Sequence, residues 1–424
     1  MGHARLQLRN LVLPREIDPG AGRVLAARAL RAFGDGYVAV LLPAYLLALG
    51  FGEVEIGAIG SVTLFGSAIA TIAVGALASR VGERRLLGAA SCLMAATGLG
   101  LAGFDDFLPL LAVAFFGTLN PGGGDTGAFV PLEHARLAAC AAAGHRTALF
   151  ARYGVAGYLA GAFGALAAAL PGVLDTAAGV APLDTMRAMF VAYCALGIGV
   201  WCLYGTAPLP GGTSASNERP APLRKSRAIV VRLAALFSLD SFAGGLVVNS
   251  LLALWLFQRF GMALESVAVF LFWTGLLSAA SQLAAAAIAR RIGLLNTMVF
   301  THIPASLCLI GAALSPSLEL ALVALVMRAA LSQMDVPARG AYVMAVVTPA
   351  ERPAAASFTT VPRSLAAAAG PSVTGLLFAT GALAAPLVAC GILKIGYDLL
   401  LLAAFRNVRP DEAPEDMAPP ARRS

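Results

Sequence analysis

Between residues 24 and 405 the chain is a near-continuous series of apolar runs, each about as long as a bilayer is thick, separated by short turns. A hydrocarbon core of ~30 Å takes about 20 apolar residues per helix. Runs of that kind fall at 24–48, 56–78, 86–104, 107–135, 147–171, 187–206, 229–257, 266–289, 295–314, 318–346, 354–380 and 383–405. Twelve membrane-spanning helices are therefore expected. Composition leaves no soluble alternative: 59% of residues are apolar and 12% charged, with a mean hydropathy of +0.80, against about 25% charge in soluble domains.

The formal net charge is +7. Arginine-rich loops of a membrane protein account for such a balance, so no nucleic-acid partner is expected. Cysteines 92, 140, 194, 202, 308 and 390 are scattered through apolar runs, with neither zinc-site spacing nor a secreted disulfide framework. Residues 1–22 are polar and the first apolar run is too long for a signal-peptide core, so none is expected.

The chain also repeats itself. Phe33-Gly34-Asp35 opens one apolar run and Phe237-Ser238-Leu239-Asp240 another, the two aspartates 205 residues apart. The turns after the following runs, Gly75 to Arg85 and Ala285 to Gly293, place Gly82 and Gly293 211 apart, close to half of 424. Such a repeat predicts two pseudo-symmetric halves with the functional site at their seam. The Pro-, Gly- and Ser-rich stretch 207–228, ending near Arg224-Lys225-Ser226-Arg227, divides six runs from six. The expected organisation is an N-terminal segment 1–23, a six-helix bundle 24–206, a linker 207–228, a second bundle 229–405 and a disordered tail 406–424.

One set of turns holds Arg80, Arg84, Arg85, Arg136, Arg146, Arg219, Arg224, Lys225, Arg227, Arg290, Arg291 and Arg352, while the alternate set offers Arg187 and Arg259 beside many acids. Cytoplasmic loops retain Lys and Arg, so both termini are expected in the cytoplasm of a plasma-membrane protein.

Residues Pro43 to Phe51, then Ile56-Gly57, then Gly75, Leu77, Ala78, Arg80, Gly82, Arg84 and Arg85 follow a recognisable order. This pattern resembles the major facilitator superfamily, in particular its drug/proton antiporter-like branch, whose loop motif reads approximately G-x-L-A-D-R-x-G-R-R. Ser79 stands at the motif's acid and Glu83 follows the second glycine. The resemblance implies a twelve-helix carrier in two six-helix bundles, working as a monomer on a small-molecule substrate with protons as the coupling ion.

Charges inside a bilayer are costly and mark candidate sites. Asp35 falls eleven residues into its span, ~16 Å at 1.5 Å per residue, and Asp240 lies at the same depth. Arg28 and Arg31 precede Asp35 by seven and four, on one helical face. Asp35, Arg31, Asp240 and Arg328 are the proton-coupling candidates. The alternative is that Arg31 and Asp35 pair to lower the cost of each other's burial.

The fourth and tenth spans are broken by their own residues. The fourth runs Gly117-Thr-Leu-Asn120-Pro121-Gly122-Gly123-Gly124-Asp125, and the tenth places Arg328, Gln333, Asp335, Pro337, Arg339 and Tyr342 in succession. Pro and repeated Gly interrupt the helical ladder, which lipid tolerates only against protein or a watery cavity. Arg328 occupies a position similar to the arginine of the superfamily's fourth-helix motif, where this fourth span has Phe116. Asn120, Asn249, Gln333 and Tyr342 are the substrate-cavity candidates. Asp125, Asp335, Arg339, Arg152 and Arg363 are candidates for a cytoplasmic gate of breakable ion pairs, with Arg328, Asp335 and Arg339 on one stripe. Ordinary helix-end charge is the competing reading for Glu133, His134 and Arg339. No metal site is expected, because adjacent helical residues such as Glu133 and His134 diverge.

Gly154, Gly157, Gly161 and Gly164 in the fifth span, and Gly370-Pro371 with Gly375 in the eleventh, suit close helix contact. Arg152 and Arg363 enter these spans within expected reach of Asp125 or Asp335. Lys394 and Asp398, four apart, read as a self-contained pair. No Walker-type loop is present, so neither an enzyme nor a cofactor is expected. The leading expectation is a proton-coupled exporter of a small molecule, with proton-coupled uptake, or a non-transporting sensor or assembly factor on the same fold, as alternatives.

Overall fold

The computed structural model describes residues 19–120, 127–140, 143–205, 224, 226–348 and 351–406. Their regular structure is helical, with no strand among the described residues. The helices are α1 (Pro19–Ala48), α2 (Glu53–Val81), α3 (Glu83–Gly103), α4 (Phe107–Phe116), α5 (Val130–Cys140), α6 (Ala143–Ala167), α7 (Leu170–Ala178) and α8 (Pro182–Gly205), then α9 (Arg227–Leu246), α10 (Asn249–Phe260), α11 (Leu264–Ile292), α12 (Leu294–Leu314), α13 (Leu318–Leu331), α14 (Asp335–Ala345), α15 (Arg352–Ala379) and α16 (Ala385–Phe405).

Ten helical stretches among the described residues are long and apolar enough to cross a bilayer. The other two expected spans differ for visible reasons. The fourth is divided into α4 and α5, of 10 and 11 residues, around the Gly- and Pro-rich segment. The eleventh, α15, has 28 residues but carries Arg352, Arg363, Pro362, Pro371 and a series of Ser and Thr, which make it less apolar. The tenth span is also interrupted, at residues 332–334 between α13 and α14, and the seventh at Val247-Val248 between α9 and α10.

Burial is inverted relative to a water-soluble protein. Leu108 is 73% exposed, Phe116 65%, Leu283 60% and Ile392 59%, while Glu133 and Asp398 are fully buried. Lipid-facing surfaces carry the large apolar side chains, and the interior holds the charges.

The described chain forms two compact units. Unit 1 takes its described residues from the ranges 19–217, 248–276 and 374–380, and unit 2 from 218–247, 277–373 and 381–406. In unit 1, α1 packs on α6 and α8, α3 on α8, and α2 on α4. In unit 2, α12 packs on α16, α13 and α14, and α9 on α16. Lipid gives helices no hydrophobic reason to associate, so close backbone approach has to supply the attraction. Glycines provide it at repeated positions. A Cβ on Gly36 of α1 would strike the Gly161 carbonyl of α6, and one on Gly245 of α9 would strike the Ala367 carbonyl of α15, where Gly370 in turn abuts Gly245. Gly36 and Gly245, and likewise Gly161 and Gly370, lie 209 residues apart, so one crossing is built twice.

The turns repeat as well. Gly82, between α2 and α3, has φ +85°, and Gly293, between α11 and α12, has φ +87°. Neither would meet an atom within 4 Å on gaining a Cβ; the left-handed backbone, not space, requires glycine there.

The crossings yield the first expected result. Gly36→Leu and Gly245→Leu should each destabilise the protein by at least ~1–3 kcal/mol, the usual cost of overpacking. Gly311→Ala, with open space around it, should be neutral. Thermal unfolding of the purified protein checks all three, and equal melting of Gly36→Leu and Gly311→Ala would contradict the crossing.

Candidate functional site

In unit 1 the charges converge on Glu133. Helix α1 offers Arg28, Arg31 and Asp35 at spacings of three and four, one above another on one face. Arg31 forms an ion pair with Glu133 of α5 and lies over the Phe129 ring, 4.2 Å from its centroid. Tyr153 of α6 and Tyr204 of α8 donate their hydroxyl hydrogens to the same carboxylate. Glu133 thus accepts three hydrogen bonds at zero exposure, which compensates the cost of burying the charge. Arg28 lies over Tyr153, 5.1 Å from the ring centroid, and Gly157 of α6 leaves room for its guanidinium. Asp35 accepts a hydrogen bond from Tyr193 of α8 at 3.1 Å.

In unit 2 the hub is Asp240 of α9, 4% exposed. Its Oδ1 lies 2.6 Å from Lys394 Nζ of α16, and its Oδ2 lies 3.1 Å from Arg339 Nη1 of α14. Arg339 also pairs with Asp335 one turn back on its own helix and lies 5.5 Å from the Phe237 ring centroid. His302 of α12 joins the group: Nδ1 is 3.1 Å from Asp398 of α16 and Nε2 is 3.3 Å from Lys394 Nζ. Arg363 of α15 donates from Nε to Ser241 Oγ at 3.1 Å.

Buried charge on membrane helices, pinned by charge from other helices, is an arrangement suited to two alternative pairings. Comparison with known proteins gives it a family. Residues 24–332 match the family model described as Major Facilitator Superfamily. The chain belongs to the Major Facilitator Superfamily. It is accordingly a multi-pass membrane transporter. An uncharacterized membrane protein of Saccharomyces cerevisiae is 24% identical over 413 residues, covering 89% of this chain and 92% of the yeast protein. Among solved structures, a bacterial homologue of the human lysosomal transporter Spinster, in an inward-facing and unoccupied conformation, superposes with a TM-score of 0.71 at 16% identity, covering 93% of this chain and 100% of that one. A D-xylose–proton symporter gives 0.71 at 16% identity, covering 92% and 98%. At such identities these structures speak to the fold.

For this superfamily protein the expected site residues fall into place unevenly. Arg31 pairs with Glu133 and not with Asp35, because α5 brings a carboxylate to it from another helix. Glu133 and Arg339 are buried network members, not helix-end charges in interfacial water. Lys394 and Asp398 do not form a self-contained pair: Lys394 turns to Asp240 and Asp398 to His302. The stripe of Arg328, Asp335 and Arg339 is cut by the break at 332–334, and Arg328, half-buried in the last turn of α13, makes no ion pair among the described residues. Arg363 reaches Ser241 rather than Asp335, whose partner is Arg339. Arg152 keeps a buried Nη1 without a hydrogen-bond partner among the described residues. Asp125 lies outside the described residues.

Asn120 (7% exposed) and Gln333 stand at the interruptions of the fourth and tenth spans, and Asn249 begins α10 just after that of the seventh. Tyr342 differs: it is 2% exposed and packs edge-on against Phe405 in a core, which removes it from any open cavity wall. In the loop motif, Gly75 and Arg80 lie on α2, and Arg85 is exposed. Arg84 donates to the Gly205 carbonyl, and Glu83 pairs with Arg136 of α5. His134 lies against the rings of Phe150 and Tyr153, and among the described residues no group of three or more His, Cys, Asp or Glu is placed to hold a metal.

Sequence reasoning passed over Tyr153, Tyr193, Tyr204 and His302. His302 was open to discovery, being a titratable residue near the middle of an apolar run. The tyrosines carried no such signal, since a buried tyrosine is ordinary core until its hydroxyl is seen to meet a carboxylate.

Proposed function

We propose that this transporter is a proton-linked exporter of a small molecule in a plasma membrane, with cytoplasmic termini and with residues 24–206 and 229–405 as the two bodies of an alternating-access cycle. The observation that carries this reading is the pair of buried networks: Arg31–Glu133 with its tyrosines, and Asp240 with Lys394, Arg339 and His302. A merely structural wall would be cheaper in apolar residues, whereas titratable groups with exchangeable partners let a proton change which pairing is favoured. The loop residues Gly75 to Arg85 and the Gly370-Pro371 pair support the antiporter-like direction. The D-xylose–proton symporter of like fold accords with a proton as the coupling ion. Asn120, Asn249 and Gln333, at helix interruptions, are the residues we assign to substrate contact.

Unit 1 also contains a seal. Gln258 at the end of α10 donates to Glu53 at the start of α2, and a Cβ on Gly375 would strike the Glu53 carbonyl. In the orientation proposed from the arginines this seal lies on the outer side, closed. Two measurements test the reading. A compound that accumulates when the gene is deleted should move in proteoliposomes when a pH gradient alone is imposed. In a cysteine-free background, joining Glu53→Cys to Gln258→Cys with a short cleavable thiol cross-linker should reduce that flux at least ~10-fold, and cleavage should restore it, because a sealed end cannot alternate. Undiminished flux through fully cross-linked protein would refute the cycle.

A further inference from the structure

His302 lies near the middle of α12, 4% exposed, just before the Pro304 that interrupts that helix's hydrogen-bond ladder. Its two ring nitrogens face groups of opposite sign. Nδ1 is 3.1 Å from both oxygens of Asp398. Nε2 is 3.3 Å from Lys394 Nζ and 3.8 Å from Asp240 Oδ1. An ammonium group only donates, so its contact with Nε2 calls for a lone pair there. The hydrogen then belongs on Nδ1, where Asp398 accepts it. The network selects a neutral imidazole in its Nδ1–H form.

Asp398 is fully buried, and among the described residues His302 is its sole hydrogen-bond or ion-pair partner. A neutral ring satisfies that carboxylate with a hydrogen bond but leaves its charge unbalanced; an imidazolium would balance it. A proton added at Nε2 would also turn the Lys394 contact into N–H against ammonium. The new N–H would face Asp240 Oδ1 at 3.8 Å, the oxygen that Lys394 occupies at 2.6 Å. One oxygen can accept from two donors, but the imidazolium and the ammonium would stand 3.3 Å apart as like charges, and their repulsion in a buried site drives the lysine away. The other groups around the ring are placed as follows. Arg339 holds Asp240 Oδ2 and Asp335, Arg363 holds Ser241, and Tyr397 packs its ring edge-on at 6.1 Å. Arg328 and Glu319 of α13 make no hydrogen bond or ion pair with the ring.

We propose that His302 is a proton-binding site of the transport cycle: a proton taken from water onto Nε2 creates an imidazolium–Asp398 ion pair and displaces Lys394 from the ring and from Asp240 Oδ1. Loss of that proton returns the lone pair, and Lys394 re-forms its bond to Asp240. The proposal rests on the proton-linked reading above and adds the group that carries the proton.

Two experiments that need no substrate test it. In lipid-reconstituted protein with His3, His134 and His145 replaced by Gln, nitrogen NMR of the remaining histidine should show the Nδ1–H neutral form giving way to imidazolium as the pH is lowered. Asp398→Asn should abolish the imidazolium signal. A ring that stays neutral throughout, or that titrates unchanged in Asp398→Asn, would overturn the proposal. The second experiment follows, in the cysteine-free background, the rate of cross-linking between Glu53→Cys and Gln258→Cys against pH, divided by the alkylation rate of each single cysteine at the same pH so that the thiolate fraction cancels. The normalised rate should vary at least ~5-fold over the pH series, the lower end of ordinary coupling between sites, and should become flat in His302→Gln, which preserves a donor and an acceptor but takes no proton. A flat response in the parent chain would sink the proton-linked reading itself. A pH response that survives in His302→Gln would sink His302 alone, and its loss in Asp35→Asn instead would move the proton to Asp35.

Discussion

Glu133→Gln is expected to deplete folded protein more than any other single change in unit 1. The carboxylate receives Arg31, Tyr153 and Tyr204 at zero exposure, and glutamine offers one acceptor oxygen and an amide that itself donates. Arg31, 5% exposed, would lose the opposite charge that pairs with it and keep the Phe129 ring and the more distant Asp35. Breaking a buried pair in this way costs about 3–5 kcal/mol, because the remaining charge stays desolvated. The companion experiment distinguishes pairing from packing: Arg31→Met combined with Glu133→Gln removes the orphaned cation and should recover much of the loss. Size-exclusion profiles and thermal unfolding of the three variants report the outcome. A monodisperse Glu133→Gln protein with native melting, or a double variant worse than the single, would contradict the central role of this pair.

The same carboxylate shows where sequence reasoning reaches its limit. The spans were legible because a bilayer imposes length and apolarity on each helix, and the breaks in the fourth and tenth were legible because Pro and Gly weaken the ladder wherever they stand. The turns at Gly82 and Gly293 could be matched by spacing, and both adopt positive φ. Partners were harder. A four-residue spacing says that two side chains share a face, but Arg31 is four from Asp35 and turns to Glu133, 102 residues away. Lys394 is four from Asp398 and reaches Asp240, 154 away. In a helical bundle each buried charge faces two or three neighbouring helices, and the carboxylate that meets it is decided by helix rotation, which local spacing does not encode. Glu133 read equally as a gate charge or an interfacial one because it falls near the cytoplasmic end of the fourth span; its burial depends on α6 and α8 closing over it with Tyr153 and Tyr204. Asp35 and Asp240 were readable as deep acids from position alone, and both are buried.

Asp240→Asn should be the most damaging change in unit 2, and the pattern of rescue should identify which cation depends on it. Asp240 serves Lys394 at 2.6 Å and Arg339 at 3.1 Å, so the amide leaves two buried cations to find other partners, again at about 3–5 kcal/mol for a broken buried pair. The two cations are not equivalent. Arg339 retains Asp335 on its own helix, whereas the direct contact left to Lys394 among the described residues is the His302 ring nitrogen at 3.3 Å, a hydrogen bond without opposite charge. Adding Lys394→Met to Asp240→Asn should therefore restore folding. Adding Arg339→Met should not, because it orphans Asp335 while Lys394 stays uncompensated. Thermal unfolding separates the two double variants, and equal stability would show that the partners of Asp240 are interchangeable. The rescued Asp240→Asn, Lys394→Met protein should also have lost its response to pH in the cross-linking assay, since the lysine that protonation displaces is gone. A folded double variant that still responds to pH would place the proton's effect elsewhere than on the Lys394–Asp240 bond.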